Sequence, residues 1–172
     1  ASADDDLADA LADAADVTGA APDDSFADRA DDHAADAVVG GYRLVRRIGE
    51  GGMGVVWEAR QERPARTVAL KILRSIGHTD TLRRFELEGE VLGRLQHPSI
   101  ASVFEAGGDA SEAGERPFLA LELVDGAPLD AYAAELDLDG EAIVLLLVRV
   151  AEGVQHAHQR GVIHRDLKPS NV

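Results

Sequence analysis

The sequence of 172 residues contains no cysteine, which excludes disulfide bonds, thiolate metal sites and cysteine nucleophiles. Aromatic residues make up only 4% of the chain, although 45% of its residues are hydrophobic, so aliphatic side chains must form most of any core. No apolar run reaches the roughly 18 residues that a membrane-spanning helix needs. The best candidate, residues 142–148, ends at Arg149. We therefore expect a cytoplasmic protein without a membrane segment in this sequence.

Positive charge is also scarce in this chain. The formal net charge is −15, which argues against a partner that is a nucleic acid or an anionic membrane. Residues 1–40 contribute most of this charge, with 12 Asp, one Arg and no Glu or Lys, and they contain 14 Ala. A segment so poor in large apolar side chains cannot offset its chain entropy by burial, so we predict that residues 1–41 form a disordered acidic leader. The alternative is a leader that carries a docking motif for a partner.

The remaining sequence predicts three strands, one helix, two more strands and then further helices. Short apolar runs rich in β-branched residues indicate five strands, at 42–49, 55–61, 66–73, 100–105 and 118–123. Helical periodicity indicates three helices, at 79–95, 129–136 and 141–160. Strands and helices are thus segregated, as in an α+β fold, with a boundary near Asp125 and Gly126. Trp57, on the second strand, is expected to be a surface or partner contact rather than a stacking platform.

A glycine-rich loop joins the first two predicted strands. Gly49, Gly51 and Gly54 satisfy the spacing G-x-G-x-x-G, which is a weak signal by itself. In a dinucleotide-binding fold this motif opens a helix, whereas Val55 and Val56 favour an extended strand. A P-loop would end in Gly-Lys-Ser or Gly-Lys-Thr, which is absent at this position. The interpretation that remains is a hairpin whose backbone amides lie over phosphates, and the alternative is a plain turn.

Lysine is unusually rare among the basic residues. Of the 17 basic residues only Lys71 and Lys168 are lysines, and the other 15 are arginines. An ammonium is a compact point charge that reaches one oxygen in a confined space, where a planar guanidinium is too bulky. Lys71 lies in an apolar strand, and Lys168 lies in a polar cluster that follows an apolar helix. We therefore expect both lysines to contact a ligand, and the alternative for each is an accidental surface position.

Three motifs in this order resemble the set that identifies protein kinases. They are the glycine loop, the strand segment 68–71 that reads Val-Ala-Leu-Lys, and the segment 164–171 that reads His-Arg-Asp-Leu-Lys-Pro-Ser-Asn. The glycine loop resembles that of bacterial eukaryotic-like serine/threonine kinases in particular. The resemblance covers residues 42–172 and implies an α+β, protein-kinase-like fold. A complete five-stranded N-lobe with one helix and the hinge would occupy 42–125, and the first helices and catalytic loop of a truncated helical C-lobe would occupy 126–172.

The resemblance implies that ATP binds beneath the glycine loop, which has Met53 at its tip. Lys71 would hold the α- and β-phosphates and pair with Glu88 of the following helix. Leu121 resembles the gatekeeper, followed by hinge residues whose backbone bonds the adenine edge. The other residues implied around ATP are Ile48, Gly49, Glu50, Gly51, Gly52, Gly54, Val56, Ala69, Glu122 and Val124.

The resemblance also implies roles for the segment after the last helix. Asp166 would orient the substrate hydroxyl and accept its proton, Lys168 would stabilise the transferring phosphoryl group, and Asn171 would bind Mg²⁺. Lysine at position 168 resembles serine/threonine kinases, so the implied reaction transfers the γ-phosphoryl group of Mg-ATP to Ser or Thr hydroxyls of protein substrates. Arg165 suggests control by phosphorylation of an activation loop, which a homodimer would carry out on itself.

The sequence contains no Asp-Phe-Gly motif, which the family carries after the catalytic loop, and it does not begin with methionine. We therefore expect a fragment that transfers phosphate inefficiently, with an exposed apolar face on the helix predicted at 141–160. The alternative function is that of a pseudokinase, a scaffold that binds nucleotide without catalysis. The presence of Lys71, Asp166 and Asn171 favours the kinase.

Overall fold

The computed structural model describes residues 36–51, 54–73, 79–111, 114–164 and 166–172, so most of the predicted leader lies outside the described residues. Four strands of an antiparallel sheet come first in the chain, followed by one helix, two more strands and two further helices. The strands are β1 (Val38–Val39), β2 (Tyr42–Gly51), β3 (Gly54–Glu62), β4 (Ala65–Leu73), β5 (Val103–Ser111) and β6 (Gly114–Glu122). The helices are α1 (Thr79–Gly93), α2 (Leu129–Glu135) and α3 (Gly140–His158), followed by a 3₁₀ turn at Pro169–Asn171.

The strand order in the sheet is β1-β2-β3-β4-β6-β5, and all neighbours are antiparallel. The five predicted strands are present, and β1 adds a short sixth strand beside β2. The side chain of Val39 is only 1% exposed, so the folded part begins before Tyr42. The predicted boundary at 41 was therefore too late, because the composition of the whole leader obscures two valines that pair with β2.

The hairpin of β5 and β6 is longer than the sequence suggested. The fourth strand was predicted at 100–105, whereas β5 runs from Val103 to Ser111. Gly107 and Gly108 gave this segment the composition of a loop, yet both lie in the β5–β6 ladder. A Cβ at Gly107 would lie 3.0 Å from the ring of Phe118, so the glycine makes room for an aromatic side chain.

Alternation along the strands gives the sheet two apolar faces. The first face carries a core made of Val39, Tyr42, Leu44, Val55, Trp57, Ala59, Val68, Leu70, Ile72, Phe118 and Ala120. The second carries Val56, Ala69, Leu73, Leu119 and Leu121, together with Phe85 from α1. Trp57 is 8% exposed, so the expectation that it lies at the surface was wrong. Its alternation with Val55 and Ala59 places it in the first core.

The sheet curls so that its first strands approach its last ones. The hydroxyl of Tyr42 donates to Glu105 on β5 at 2.7 Å. The backbone amide of Gly40 donates to Asp109 Oδ1 at 2.9 Å. The ring of Tyr42 also meets that of Phe118 edge-on, with centroids 5.8 Å apart. These contacts hold the β1–β2 turn against the β5–β6 hairpin and close one side of the first core.

Replacing Tyr42 by phenylalanine should destabilise the fold by about 1–2 kcal/mol, because the hydrogen bond to the Glu105 carboxylate is lost. Burial and that hydrogen bond raise the pKa of Tyr42 to about 12. The folded state therefore holds the phenol proton more tightly than the unfolded state, whose tyrosine titrates near pH ~10. This stabilisation is complete below about pH 10 and is lost as the pH rises towards about 12.

The measurement is urea unfolding of wild type and Tyr42→Phe at neutral pH and near pH ~11. The difference between the two free energies of unfolding should shrink at the higher pH. A difference that is equal at both pH values would contradict this account of Tyr42.

Helix α1 packs on the second face of the sheet. Phe85 is buried in the core of that face. Four residues later, a Cβ at Gly89 would lie 2.1 Å from the Cβ of Ala106 on β5. A residue with a side chain does not fit there unless the helix moves, so Gly89 fixes how closely α1 approaches the sheet.

Helix α3 packs against the segment that precedes β5. The side chain of Asp139 caps its first turn by accepting from the amide of Ala142 at 2.9 Å. Gly153 is buried, and a Cβ there would lie 3.4 Å from Ser99, in the segment between α1 and β5. The segment before β5 therefore packs directly on α3.

Several large apolar side chains of α3 are exposed, as the sequence predicted. They are Ile143, Val144, Leu145, Leu147 and Val148. Within the described part of the chain, no helix has the length and apolar character needed to cross a membrane.

Candidate active site

The glycine loop forms the tip of the β2–β3 hairpin, as predicted. Gly51 and Gly54 are direct partners across the two strands. Gly52 and Met53, which the resemblance places over the phosphates, lie outside the described residues. A Cβ at Gly54 would lie 2.2 Å from the carbonyl oxygen of Ile72, so this position requires glycine. The strand that follows excludes the helix of a dinucleotide-binding turn and that of a P-loop.

Lys71 lies in a row of residues that crosses the sheet beside this hairpin. Val56 is opposite Gly49 on one side and opposite Lys71 on the other, and Lys71 is in turn opposite Leu119. Directly opposed residues point to the same face, so all four belong to the second face. Among the described residues Lys71 is the buried charged side chain, with 3% of its surface exposed. The sheet therefore places a desolvated ammonium next to the glycine hairpin.

The residues predicted around adenine form a continuous patch on the same face. Val56, Ala69 and Leu121 belong to one buried cluster, and Ile48 packs against it. Ala69 and Leu121 are direct partners across β4 and β6. The predicted ATP residues therefore lie on neighbouring strands: Ile48, Gly49, Glu50 and Gly51 on β2, Gly54 and Val56 on β3, Ala69 and Lys71 on β4, and Leu121 and Glu122 on β6.

The predicted hinge begins where β6 ends. The amide of Glu122 donates to the carbonyl of Ser102 at 2.8 Å, and the amide of Ser102 donates to Glu122 Oε2 at 3.0 Å. Val124 follows in an irregular segment, and its side chain is exposed. The start of the hinge is therefore fixed to the segment before β5, while its continuation is open to solvent.

The position of Glu88 on α1 is consistent with its predicted role as the partner of Lys71. Its neighbour Gly89 lies against Ala106, and a Cβ at Gly89 would lie 3.8 Å from Leu119, which is opposite Lys71. The side chain of Glu88 is not among the described parts of the structure, so its pairing with Lys71 stays a prediction. Sequence reasoning missed Gly89, although a glycine inside a helix costs about 1 kcal/mol relative to alanine and so signals a packing constraint.

The structure brings the predicted catalytic residues of the last segment together. Lys168 Nζ lies 2.9 Å from Asp166 Oδ2. The side-chain amide of Asn171 donates to the backbone carbonyl of Asp166 at 2.8 Å, and its nitrogen lies 3.4 Å from Oδ2. Because Asn171 Nδ2 is directed to Asp166, its Oδ1 is the atom left to accept, and Ser170 Oγ donates to it at 3.3 Å. Arg165, predicted as a regulatory contact, lies outside the described residues.

These contacts set the electrostatics of the loop. The hydrogen bond from Lys168 lowers the pKa of the Asp166 carboxyl, and the hydrogen bond from Asn171 contributes in the same direction. Asp166 is exposed, so an ionised carboxylate is available to a substrate at neutral pH. Burial lowers the pKa of His164, which therefore stays neutral there.

Replacing Lys168 by methionine should raise the pKa of Asp166 towards its ordinary value, because the hydrogen bond and the positive charge of the ammonium are both removed. The midpoint can be read from the side-chain carboxyl ¹³C shift of Asp166 during an acid titration. Arg149→Gln removes a positive charge from α3 and serves as the control. Equal midpoints in wild type and Lys168→Met would show that Lys168 does not control this carboxyl.

Asn171 Oδ1 is suited to a hard cation such as Mg²⁺, which prefers oxygen ligands. The described residues contain no group of three or more His, Asp or Glu side chains that could hold a metal ion. Mg²⁺ commonly takes one or two protein oxygens and completes its shell with water and nucleotide phosphates. The donor set therefore fits a metal that arrives with a nucleotide.

One contact lies within the helical part, and a second joins the helical part to the segment that precedes β5. The amide of Leu129, at the start of α2, donates to the carbonyl of Val172 at 3.0 Å. The rings of His97, after α1, and His156, on α3, have centroids 4.9 Å apart. The catalytic segment is thus tied to the chain just after the hinge, and α3 is tied to the segment after α1.

Comparisons with known proteins agree with the motifs. The protein kinase domain family matches residues 42–172. The serine/threonine-protein kinase Pkn1 of Myxococcus xanthus is 38% identical over 135 residues, which cover 77% of this chain and 19% of that protein. The serine/threonine-protein kinase PknA of Mycobacterium tuberculosis is 39% identical over 137 residues, which cover 77% of this chain and 32% of that protein. The chain therefore spans between a fifth and a third of the length of these relatives.

Solved structures of a bacterial kinase domain also match this chain. The crystal structure of the Mycobacterium tuberculosis PknI kinase domain matches with a TM-score of 0.66 and 31% sequence identity, covering 81% of this chain and 56% of that domain. The C20A mutant of the same domain matches with a TM-score of 0.67 and 31% identity, covering 81% of this chain and 57% of that domain.

Proposed function

This chain belongs to the protein kinase domain family, and on that basis we propose that it is the ATP-binding and catalytic-loop part of a serine/threonine protein kinase. The predicted protein-kinase-like fold is confirmed, with a curled antiparallel sheet that carries one helix and with further helices after it. The proposed reaction transfers the γ-phosphoryl group of Mg-ATP to Ser or Thr hydroxyls of protein substrates. The observation that carries the proposal is the row that places buried Lys71 beside the glycine hairpin.

The proposed roles follow from the chemistry of each group. Backbone amides of the glycine hairpin would bind phosphate oxygens, because no side chain intervenes. Lys71 would hold the α- and β-phosphates from below, and Asn171 would supply an oxygen to Mg²⁺, which neutralises phosphate charge. Asp166, ionised beside Lys168, would orient the substrate hydroxyl and accept its proton. Lys168 would stabilise the charge on the transferring group.

The proposed domain boundary lies near residue 125. The N-lobe with its hinge would include β1 and so begin before residue 42, and residues 126–172 would belong to the C-lobe. We further propose that residues 1–172 transfer phosphate slowly by themselves, because the sequence contains no Asp-Phe-Gly segment to supply a second metal ligand. A homodimer that phosphorylates an activation loop belongs to the same proposal.

To test this proposal, the gene that encodes this chain is expressed up to the gene's own stop codon. The product is then incubated with protein substrates and with Mg-ATP labelled at the γ-phosphate. Labelled phosphoserine or phosphothreonine that disappears in Asp166→Asn supports the kinase. Nucleotide binding without transfer supports the pseudokinase scaffold instead. A product that binds no nucleotide contradicts both. Efficient transfer by residues 1–172 would refute the proposed inactivity of this piece.

A further inference from the structure

We propose that the acidic leader, residues 1–35, docks in cis on an arginine surface of the sheet, formed by Arg43 and Arg46 on β2 and Arg60 on β3. The proposal rests on the register of the sheet and on the distribution of charge. It does not depend on nucleotide binding or on phosphoryl transfer, so the two proposals fail separately.

The three arginines share one face of the sheet. Arg43 is directly opposite Arg60, and Arg46 is directly opposite Glu58. Opposed residues point to the same side, and positions 58 and 60 alternate with the buried Ala59 between them. The arginine surface is therefore the solvent-exposed continuation of the face that carries Lys71 and Ala69.

This surface carries more positive than negative charge. On this face the three arginines lie beside two glutamates, Glu58 and Glu62. Arg46 is paired with Glu58 at 2.7 Å, but Arg43 has only a distant contact of 3.5 Å with Glu62, whose side chain is 79% exposed. In the part of the chain that the structure describes, no carboxylate lies within ion-pair distance of Arg60. Two like charges directly opposite each other destabilise a sheet, and added carboxylates would relieve that repulsion.

The leader is the occupant that charge and position favour. Residues 1–35 contain 11 Asp and one Arg. The leader joins the sheet at β1, the edge strand in which Val38 is the direct partner of Arg43. Neighbouring strands are about 4.8 Å apart, so Arg60 lies only two strands from the point where the leader enters. Covalent attachment gives the leader a high effective concentration there, and aspartate carboxylates match the fork of a guanidinium.

Docking of this kind depends on several exposed ion pairs at once. Each exposed pair is weak and is screened by salt, with a Debye length of about 10 Å at 0.1 M. We therefore expect a docked leader at low ionic strength and its release at about 1 M salt.

The absence of native cysteine permits a direct test on the full 172-residue chain. A nitroxide is attached to Thr18→Cys in the middle of the leader, and paramagnetic broadening of the backbone amides is recorded by NMR. We expect strong broadening at Arg43, Arg46 and Arg60 at low salt, at least twofold above that of α3 amides, and its loss at high salt. Arg60→Gln should reduce this broadening, whereas Arg149→Gln, a matched change on exposed α3, should not.

Substitutions in the leader and a mixing experiment distinguish docking in cis from other causes of broadening. Replacing Asp16, Asp23 and Asp24 by asparagine changes the leader alone and should reduce the broadening without altering the sheet. Mixing spin-labelled chain with isotope-labelled chain reveals contact between two copies, and broadening of the arginine surface in that mixture would overturn docking in cis. Broadening spread evenly over sheet and helices, or unchanged by Arg60→Gln, would also overturn the proposal.

Discussion

Replacing Lys71 by methionine should weaken the binding of Mg-ATP to this chain at least tenfold. Lys71 is only 3% exposed and belongs to the sheet row beside the glycine hairpin, so a contact of its ammonium with phosphate would be a desolvated, charge-assisted hydrogen bond. Such bonds contribute about 1.5–3 kcal/mol, which corresponds to a loss of tenfold or more. Methionine has a similar length and no charge. Calorimetric titration with a non-hydrolysable ATP analogue measures the change.

Two further variants separate charge from shape. Lys71→Arg keeps a positive charge but adds a planar fork between Val56 and Leu119, and we expect it to bind the analogue weakly as well. Arg94→Gln removes a charge from the segment after α1 and should bind like wild type. Thermal unfolding of each variant checks that the fold is retained. Wild-type affinity in folded Lys71→Met would remove Lys71 from the nucleotide site.

Replacing Gly89 by alanine should lower the free energy of unfolding by about 1–3 kcal/mol, even though alanine is the better helix former. The added Cβ would lie 2.1 Å from the Cβ of Ala106, so α1 must move away from β5. Because Glu88 directly precedes Gly89 on the helix, the same displacement should weaken nucleotide binding. Urea unfolding and calorimetric titration measure the two effects.

Gly93→Ala is the matched control on the same helix. The nearest neighbour of a Cβ at Gly93 would be the carbonyl oxygen of Val103 at 3.5 Å, which is an ordinary contact. We expect this variant to be as stable as wild type or more stable by up to about 1 kcal/mol. If Gly89→Ala and Gly93→Ala behaved alike, close packing of α1 on β5 would not limit stability.

Features that depend on residues close together in the sequence could be predicted from the sequence. The glycine hairpin follows from glycines followed by valines, and the contacts among Asp166, Lys168 and Asn171 form within one short segment. Short apolar runs rich in β-branched residues likewise predicted the strands around Val56 and Lys71, because such side chains favour an extended backbone.

The remaining features depend on contacts between distant parts of the chain. The hydrogen bond from Tyr42 to Glu105 joins residues 63 positions apart, and no local pattern indicates it. Gly107 resembled a loop residue because its role is to accommodate the ring of Phe118, which lies on the next strand. The short strand β1 was missed because the acidic composition around it concealed its pairing with β2.

The most direct test of the central claim is a crystal structure of this chain with Mg²⁺ and a non-hydrolysable ATP analogue. The account predicts that the triphosphate lies under the glycine hairpin, with Lys71 Nζ within about 3 Å of an α- or β-phosphate oxygen. It also predicts that the γ-phosphate and its metal face Asp166 and Asn171. A nucleotide bound elsewhere, or a triphosphate that contacts Lys71 while Asp166 and Asn171 lie on a separate surface, would contradict the account.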